Sequence, residues 1–217
     1  IGEPTGMRPV RKHKGVMMER VLLEGHSGHS SDPSLGRNAI EGMGRVIEAL
    51  ARVRTDFALR YHDASFSVPS PTLNLGKVFG GDSPNRICAR CELYFDVRPL
   101  PGMVPEAIRA ELSHAVQEAI VGLGLSAECG ALVDGVPPFE TPADSPFVHA
   151  CEQLTGEASI AVMFGTEAPY LNELGMETVV MGPGSITVAH QPDETLRVQD
   201  LEQATALYTQ LLSRFCG

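Results

Sequence analysis

An α/β protein in two parts is what this sequence predicts, on three observations. The stretch 87–97 alternates: Ile87, Ala89, Cys91, Leu93, Phe95 and Val97 share one face, while Cys88, Arg90, Glu92, Tyr94 and Asp96, with Arg98 beyond them, share the other. That is the period of a strand with one buried side. Two other stretches carry apolar residues three and four apart, as amphipathic helices do. From Pro137 onward the texture changes to short strands alternating with helices.

Taken in order, residues 16–23 read as a strand bounded by Gly15 and Gly25. Asp32-Pro33 and Asn38 lead into a helix with Ile40, Met43, Ile47 and Leu50 on one face. A short strand at 72–79 follows Pro69 to Pro71, and Gly80-Gly81-Asp82 makes a turn. The long strand of 87–97 ends at Pro99 and Pro101. A helix from Pro105 to Gly122 turns Ile108, Leu112, Val116, Ala119 and Ile120 inward, and Leu125 to Val133 supplies one more strand. The order β-α-β-β-α-β is that of a ferredoxin-like domain. Downstream, a helix starts near Ser145-Pro146, a strand holds Ile160–Phe164, a short helix follows Glu167, and a strand holds Thr178–Met181. The loop Gly182-Pro183-Gly184-Ser185 leads to His190. A last helix, Val198 to Phe215, is expected to bury Leu201, Ala204, Leu207 or Tyr208, Leu211 and Phe215. Two strands and three helices are too few for a doubly wound sheet of ordinary size. The rest of that sheet is expected upstream of Ile1, and the abrupt opening Ile1-Gly2-Glu3-Pro4-Thr5 reads as cut from something longer.

Charge and cysteine content narrow the function. With 27 acidic against 17 basic side chains the formal charge is −10, which opposes nucleic-acid binding. Arg8, Arg11, Lys12 and Lys14, with His13 among them, read as a solvated loop before a strand. No apolar run approaches the roughly 18 residues of a membrane helix, and no signal-peptide pattern opens the sequence. Cys88, Cys91, Cys129, Cys151 and Cys216 form an odd, scattered set, as reduced thiols of a cytoplasmic protein would. The pair Cys88-x-x-Cys91 is not read as a metal or redox motif, because positions three apart on a strand point to opposite faces.

The candidate chemistry lies in loops. Gly25-His26-Ser27-Gly28-His29-Ser30-Ser31 sets two histidines among small residues between a strand and a helix, where side chains are exposed. His190 follows a Gly-rich loop at the carboxyl end of a buried strand, where ligands bind in α/β sheets, although it reads equally as a satisfied core histidine. Glu3, between Gly2 and Pro4, is a carboxylate in similar surroundings. A Glu and a His from different strand ends are standard zinc ligands. Arg98, with Arg90, Glu92 and Asp96, reads as one member of a surface ion-pair row.

These residues also carry a resemblance. Gly2-Glu3-Pro4-Thr5, His13-Lys14-Gly15, Gly28-His29-Ser30-Ser31, Gly80-Gly81, Asn85-Arg86-Ile87, Asp96-Val97-Arg98-Pro99, Gly165-Thr166-Glu167-Ala168-Pro169 and Gly182-Pro183-Gly184-Ser185 through His190-Gln191-Pro192 occur in order over essentially the whole chain. They resemble the co-catalytic dizinc family of aminoacylases, carboxypeptidase G and succinyl-diaminopimelate desuccinylase. Asn85 to Pro101 and Gly165 to Pro169 are similar to the branch that deacetylates N-acetylornithine. The resemblance implies a zinc-peptidase-like α/β catalytic domain (residues 1–14 and 134–217) interrupted by a ferredoxin-like lid (15–133) that also makes a homodimer. It implies Glu3 and His190 as terminal ligands of two different zinc (or cobalt) ions. His29 would reach the neighbouring subunit's site to stabilise an oxyanion, Asn85 and Arg98 would hold a substrate carboxylate, and Thr166 would line the pocket. The remaining metal ligands and the general-base Glu of the family would precede Ile1, so the chain alone is expected to be inactive and to hold no metal. The implied reaction is hydrolysis of N2-acetyl-L-ornithine to ornithine and acetate, a step of arginine biosynthesis. The alternatives are another N-acyl amino acid as substrate, or a dimerising piece without catalysis.

Overall fold

The computed structural model describes residues 1–216, in two compact units. One comprises residues 1–14, 65–67 and Pro138 onward, and the other residues 15–64 and 68–137. In chain order the first unit opens with β1 (Val10–His13). The second unit holds β2 (Met17–Glu24), α1 (Ala39–Arg60), β3 (Thr72–Gly80), β4 (Arg90–Arg98), α2 (Pro105–Ala119) and β5 (Ser126–Ala131). The first then resumes with β6 (Phe139–Glu140), α3 (Pro146–Thr155), β7 (Ile160–Val162), α4 (Ala168–Glu173) and α5 (Val198–Phe215).

The second unit is a four-stranded sheet in the order β3-β4-β2-β5, every neighbour antiparallel, which is the ferredoxin-like arrangement. On its buried face the cross-strand pairs Met17–Val97, Val21–Leu93 and Leu23–Cys91 line up, all nearly inaccessible. Truncating a side chain such as Leu93 to Ala there removes about 2–5 kcal/mol. Asn38 caps α1, its Oδ1 accepting from the Ile40 N–H at 3.1 Å. Pro105 opens α2, where a missing N–H is harmless. The α1 stripe differs from the expected one: Met43, Val46, Leu50, Val53 and Phe57 are buried, whereas Ile40 is exposed and Ile47 half-buried. The helix runs to Arg60, and its 3.6-residue period over the full length favours the face that includes Phe57. Glu19, 4% exposed on the same buried sheet face, is matched by Arg109 of α2 at 2.9 Å. Edge strand β3 is exposed from Gly76 onward, with Val78 and Phe79 open to solvent. The lid's ends adjoin: Val16 and Val136 exchange two backbone hydrogen bonds of 2.8 Å, and Gly15 N–H donates to Pro99 O.

The Cys88 reading needs correction. β4 begins at Arg90, so Cys88 lies outside the strand, its thiol donating to Arg90 O, and strand alternation does not govern it. Both Cys88 and Cys91 are buried and free. Burial pushes the Cys91 thiol up, with Cys88 adding to the shift.

In the first unit β1 lies between β6, antiparallel, and β7, parallel. The basic stretch is therefore no solvated loop. Arg11 and Lys12 both reach Glu140, at 3.1 and 2.9 Å, while His13 and Lys14 are fully buried, the Lys14 Nζ 5.7 Å from the centroid of Phe66. The neutralising carboxylate on β6 lets the strand form despite its charge. Thr178–Met181 is buried and extended but makes only a one-residue bridge, Val180 to Val10, so it is not a full strand. Two apolar clusters result: Val10, Phe139, Ala168 and Val180, and Val148, Ala150, Cys151, Val179, Met181 and Leu211. On α5 only Ala204 and Leu211 are buried; Leu201 and Phe215 stay exposed and Leu207 and Tyr208 half-buried, against expectation.

Candidate functional site

Within the first unit the structure ties the Glu3 and His190 segments to one another through the backbone. Residues 1–7 run beside 179–185: Met181 N–H donates to Ile1 O at 2.8 Å, Thr5 and Met7 N–H both donate to Gly182 O, and Gly6 N–H donates to Gly184 O. Gly182 N–H in turn donates to the Thr5 hydroxyl. From Ser185 the chain makes one 3-10 turn, Ile186–Val188, and reaches His190, which is exposed and held in the left-handed region at φ 61°. Its backbone N–H donates to the Glu194 carboxylate. Neither the Glu3 carboxylate nor the His190 ring makes a hydrogen bond among the described residues, so each is available as one ligand. A half-buried carboxylate and an imidazole suit zinc as donors, but no cluster of three or more His, Cys, Asp or Glu forms among the described residues.

Thr166 lies in the loop between β7 and α4. It is 6% exposed, its backbone N–H donates to His13 Nε2 at 3.2 Å, and its hydroxyl lies 3.1 Å from the same nitrogen. The hydroxyl also accepts from Ala168 N–H. His13 donates from Nδ1 to Lys14 O, and burial lowers its pKa, so the ring is neutral and pins the loop between β7 and α4. The side chain of Thr166 is thus engaged inside the unit. The basic neighbours of His13 conceal its buried role in the sequence, and its partner lies 153 residues away.

In the second unit His29 and Asn85 come together. The 26–31 loop is bridged to the 85–87 segment through His29–Arg86, with Ser30 N–H donating to Asn85 O and Ile87 N–H to Gly28 O. An Arg86–Asp82 ion pair braces that segment. Ser31 N–H donates to His29 Nδ1 at 3.2 Å, and the Ser31 hydroxyl is 2.7 Å from the same atom. With Nδ1 accepting, a neutral His29 ring carries its proton on Nε2, leaving an exposed donor. The Asn85 Oδ1 accepts from Ser83, which turns its amide nitrogen into a second donor at the same end of the sheet. Ser31, which fixes the tautomer, stands in the quoted Gly28–Ser31 motif, but its bond to His29 does not show in the sequence.

Arg98 is not with them. It lies at the other end of β4, a strand of nine residues spanning roughly 27 Å. There its Nε donates to Asp96 at 2.8 Å, and its terminal nitrogens make no bond among the described residues. The second Asp96 oxygen is buried without a partner among those residues. At the opposite end Arg90 pairs with Glu92, whose carboxyl is held below the usual range by that hydrogen bond. Within one lid, Asn85 and Arg98 therefore stand toward opposite ends of β4.

An α/β unit is thus joined in sequence to a ferredoxin-like unit. The family model described as the peptidase dimerisation domain matches residues 11–122, just over half of the chain, and the chain belongs to that M20 family. It is 45% identical over 216 residues to acetylornithine deacetylase of Edwardsiella ictaluri, covering 100% of this chain and 56% of that protein. The acetylornithine deacetylase of Vibrio vulnificus is also 45% identical, with 57% of its length covered. The chain thus spans a little over half the length of the curated relatives it matches. Among solved structures, a dinuclear metal binding peptidase of the M20 family from Bacillus subtilis superposes with a TM-score of 0.66 at 16% identity, over 97% of this chain and 54% of that one. Aminopeptidase PepT from Bacillus cereus gives 0.69 at 17% identity, over 96% of this chain and 53% of that one. These likenesses share the fold. No helix among the described residues is long and apolar enough to cross a membrane.

Proposed function

We propose that this chain serves, in a protein of its relatives' length, the metal-dependent hydrolysis of N2-acetyl-L-ornithine to ornithine and acetate, a step of arginine biosynthesis. The observation that carries the reading is the His29 tautomer: a lid histidine whose Nδ1 is occupied by Ser31 presents Nε2–H, the polarity an oxyanion requires. Glu3 and His190 would each hold one of two zinc (or cobalt) ions, which when bound supply Lewis-acid activation of water and carbonyl. His29 donates to the oxygen of the attacked acetyl group as charge develops there. Arg98 directs its unengaged nitrogens to the α-carboxylate, for which a planar guanidinium is suited.

Because Arg98 lies at one end of β4 and His29 and Asn85 beyond the other, the reading assigns them to different copies of the chain. His29 serves the partner's substrate. The exposed β3 edge and the family's dimerisation role support a homodimer through the lid.

The test is acetate release from N2-acetyl-L-ornithine by the zinc-loaded full-length protein and by residues 1–217 alone. Turnover is expected of the first, and neither turnover nor two retained metals of the second, since Glu3 and His190 give one ligand per ion where a catalytic zinc takes three. A full-length protein that leaves N2-acetyl-L-ornithine intact while cleaving another N-acyl amino acid would overturn the substrate assignment.

A further inference from the structure

The contact between Gly182 and Glu3 is closer than any side chain permits. A Cβ placed on Gly182 would lie 2.5 Å from Glu3 O, 3.0 Å from its N and 3.2 Å from its carbonyl carbon. These are backbone atoms and cannot swing aside as a side chain end could. Nor is the space merely a turn requirement, since Gly182 is not among the residues at positive φ. Its own polar groups are committed to residues just beyond Glu3: its oxygen accepts from Thr5 and Met7, and its N–H donates to the Thr5 hydroxyl. Thr5 N–H also donates to Glu3 O at 2.8 Å, so the Glu3 peptide is gripped from the side and from behind. The Thr5 hydroxyl has no freedom left, because it donates to Arg8 O at 2.8 Å.

We propose that Gly182 is a positioning residue for a metal ligand: by letting the Glu3 backbone lie directly against it, it sets where the Glu3 carboxylate stands. The proposal rests on the reading of Glu3 as a ligand. A methyl group at 182 forces the Glu3 peptide away by several tenths of an ångström or more. A carboxylate ligand so displaced loses affinity for its ion, as when the partners that orient ligands are removed elsewhere, by about 10–100-fold.

The experiment measures zinc affinity, by chelator competition, in the full-length protein and three variants. Gly182→Ala is expected to raise the Kd of one of two zinc ions by about 10–100-fold and to leave the other within a few-fold. Gly175→Ala is the control. Gly175 lies at φ 81° with nothing within 4 Å of a built Cβ, so its substitution strains the same unit without touching Glu3, and both affinities should persist. Equal losses in the two variants would show general destabilisation and overturn the proposal. Unchanged affinities in Gly182→Ala would overturn it too. In that event Glu3→Gln separates the two ideas: loss of one zinc leaves Glu3 a ligand and refutes only the role of Gly182, whereas retention of both removes the ligand reading itself. Should Gly182→Ala fail to fold, Thr5→Val removes the acceptor for Gly182 N–H without adding atoms against Glu3. It is expected to weaken the same ion several-fold, and an unchanged Kd there refutes the proposal.

Discussion

Replacing His29 by Ala in the full-length protein removes the Nε2–H donor from an exposed ring whose side-chain hydrogen bonds among the described residues go to Ser31. One oxyanion donor is worth about 10²–10³ in kcat, or roughly 3–4 kcal/mol of transition-state stabilisation. The loss should fall on kcat and leave KM nearly unchanged, because the charge that His29 meets exists only as the carbonyl is attacked. Ser31→Ala keeps the Ser31 N–H on Nδ1 and loses only the hydroxyl contact, so its effect should be well under that of His29→Ala. The sharper assay mixes His29→Ala with His190→Ala and allows subunits to exchange. If His29 acts on the partner's substrate, each heterodimer has one site with both its metal ligand and its lid histidine. Random exchange makes half the dimers heterodimers, so activity should return to about a quarter of the unmutated protein's. If His29 acts within its own chain, every site lacks one group. A mixture that shows heterodimers by mass yet no activity above its two parents would refute the assignment.

Arg98→Ala should lower kcat/KM for N2-acetyl-L-ornithine by about 10–100-fold, chiefly through KM, as a charge-assisted bond of 1.5–3 kcal/mol is lost. An N-acetyl amine without a carboxylate should lose little further, and equal losses for both substrates would mean that Arg98 only steadies β4 through Asp96. His13 gives a pH dependence measurable on the chain itself. Burial depresses its folded pKa, so the unfolded chain binds the extra proton first. Its neutral form supports full stability above the unfolded value near 6.5, and stability should fall as pH drops below that value towards the lower folded pKa. Urea midpoints at pH 7.5 and 5 should converge in His13→Gln relative to the unmutated chain, and an unchanged difference would remove His13 as the source.

The lid was legible because its signals are local. Strict alternation in 87–97 and two helices with three-four spacing fix the β-α-β-β-α-β order, and the antiparallel pairing follows from it. The α1 stripe was misplaced because Ile40 and Ile47 outweigh Val46 and Ala49 in hydrophobicity, and only the helix's full length to Arg60 shows which face Phe57 belongs to. Val10–His13 was missed because three of its four residues are basic or titratable, and the Glu140 that pairs with two of them lies some 130 residues on. The candidate residues themselves stood out by type and frame. What they do for one another did not: the tautomer of His29 depends on a backbone N–H, the commitment of Thr166 on a histidine at the far side of the chain, and the separation of Asn85 from Arg98 on the length of β4.

The hydrogen-bonded meeting of Val16 with Val136 has a bearing on ancestry and engineering. To the rest of the chain, the 120 or so residues of the lid are equivalent to a connection only a few ångströms across, so closing it adds little chain entropy beyond what the lid's own folding supplies. A module whose ends adjoin can be inserted into a surface loop, exchanged for another, or excised and bridged with a short turn, without stretching β1 or β6 apart. Such a graft would leave the backbone pairing of Glu3 and Gly182 within the first unit unchanged.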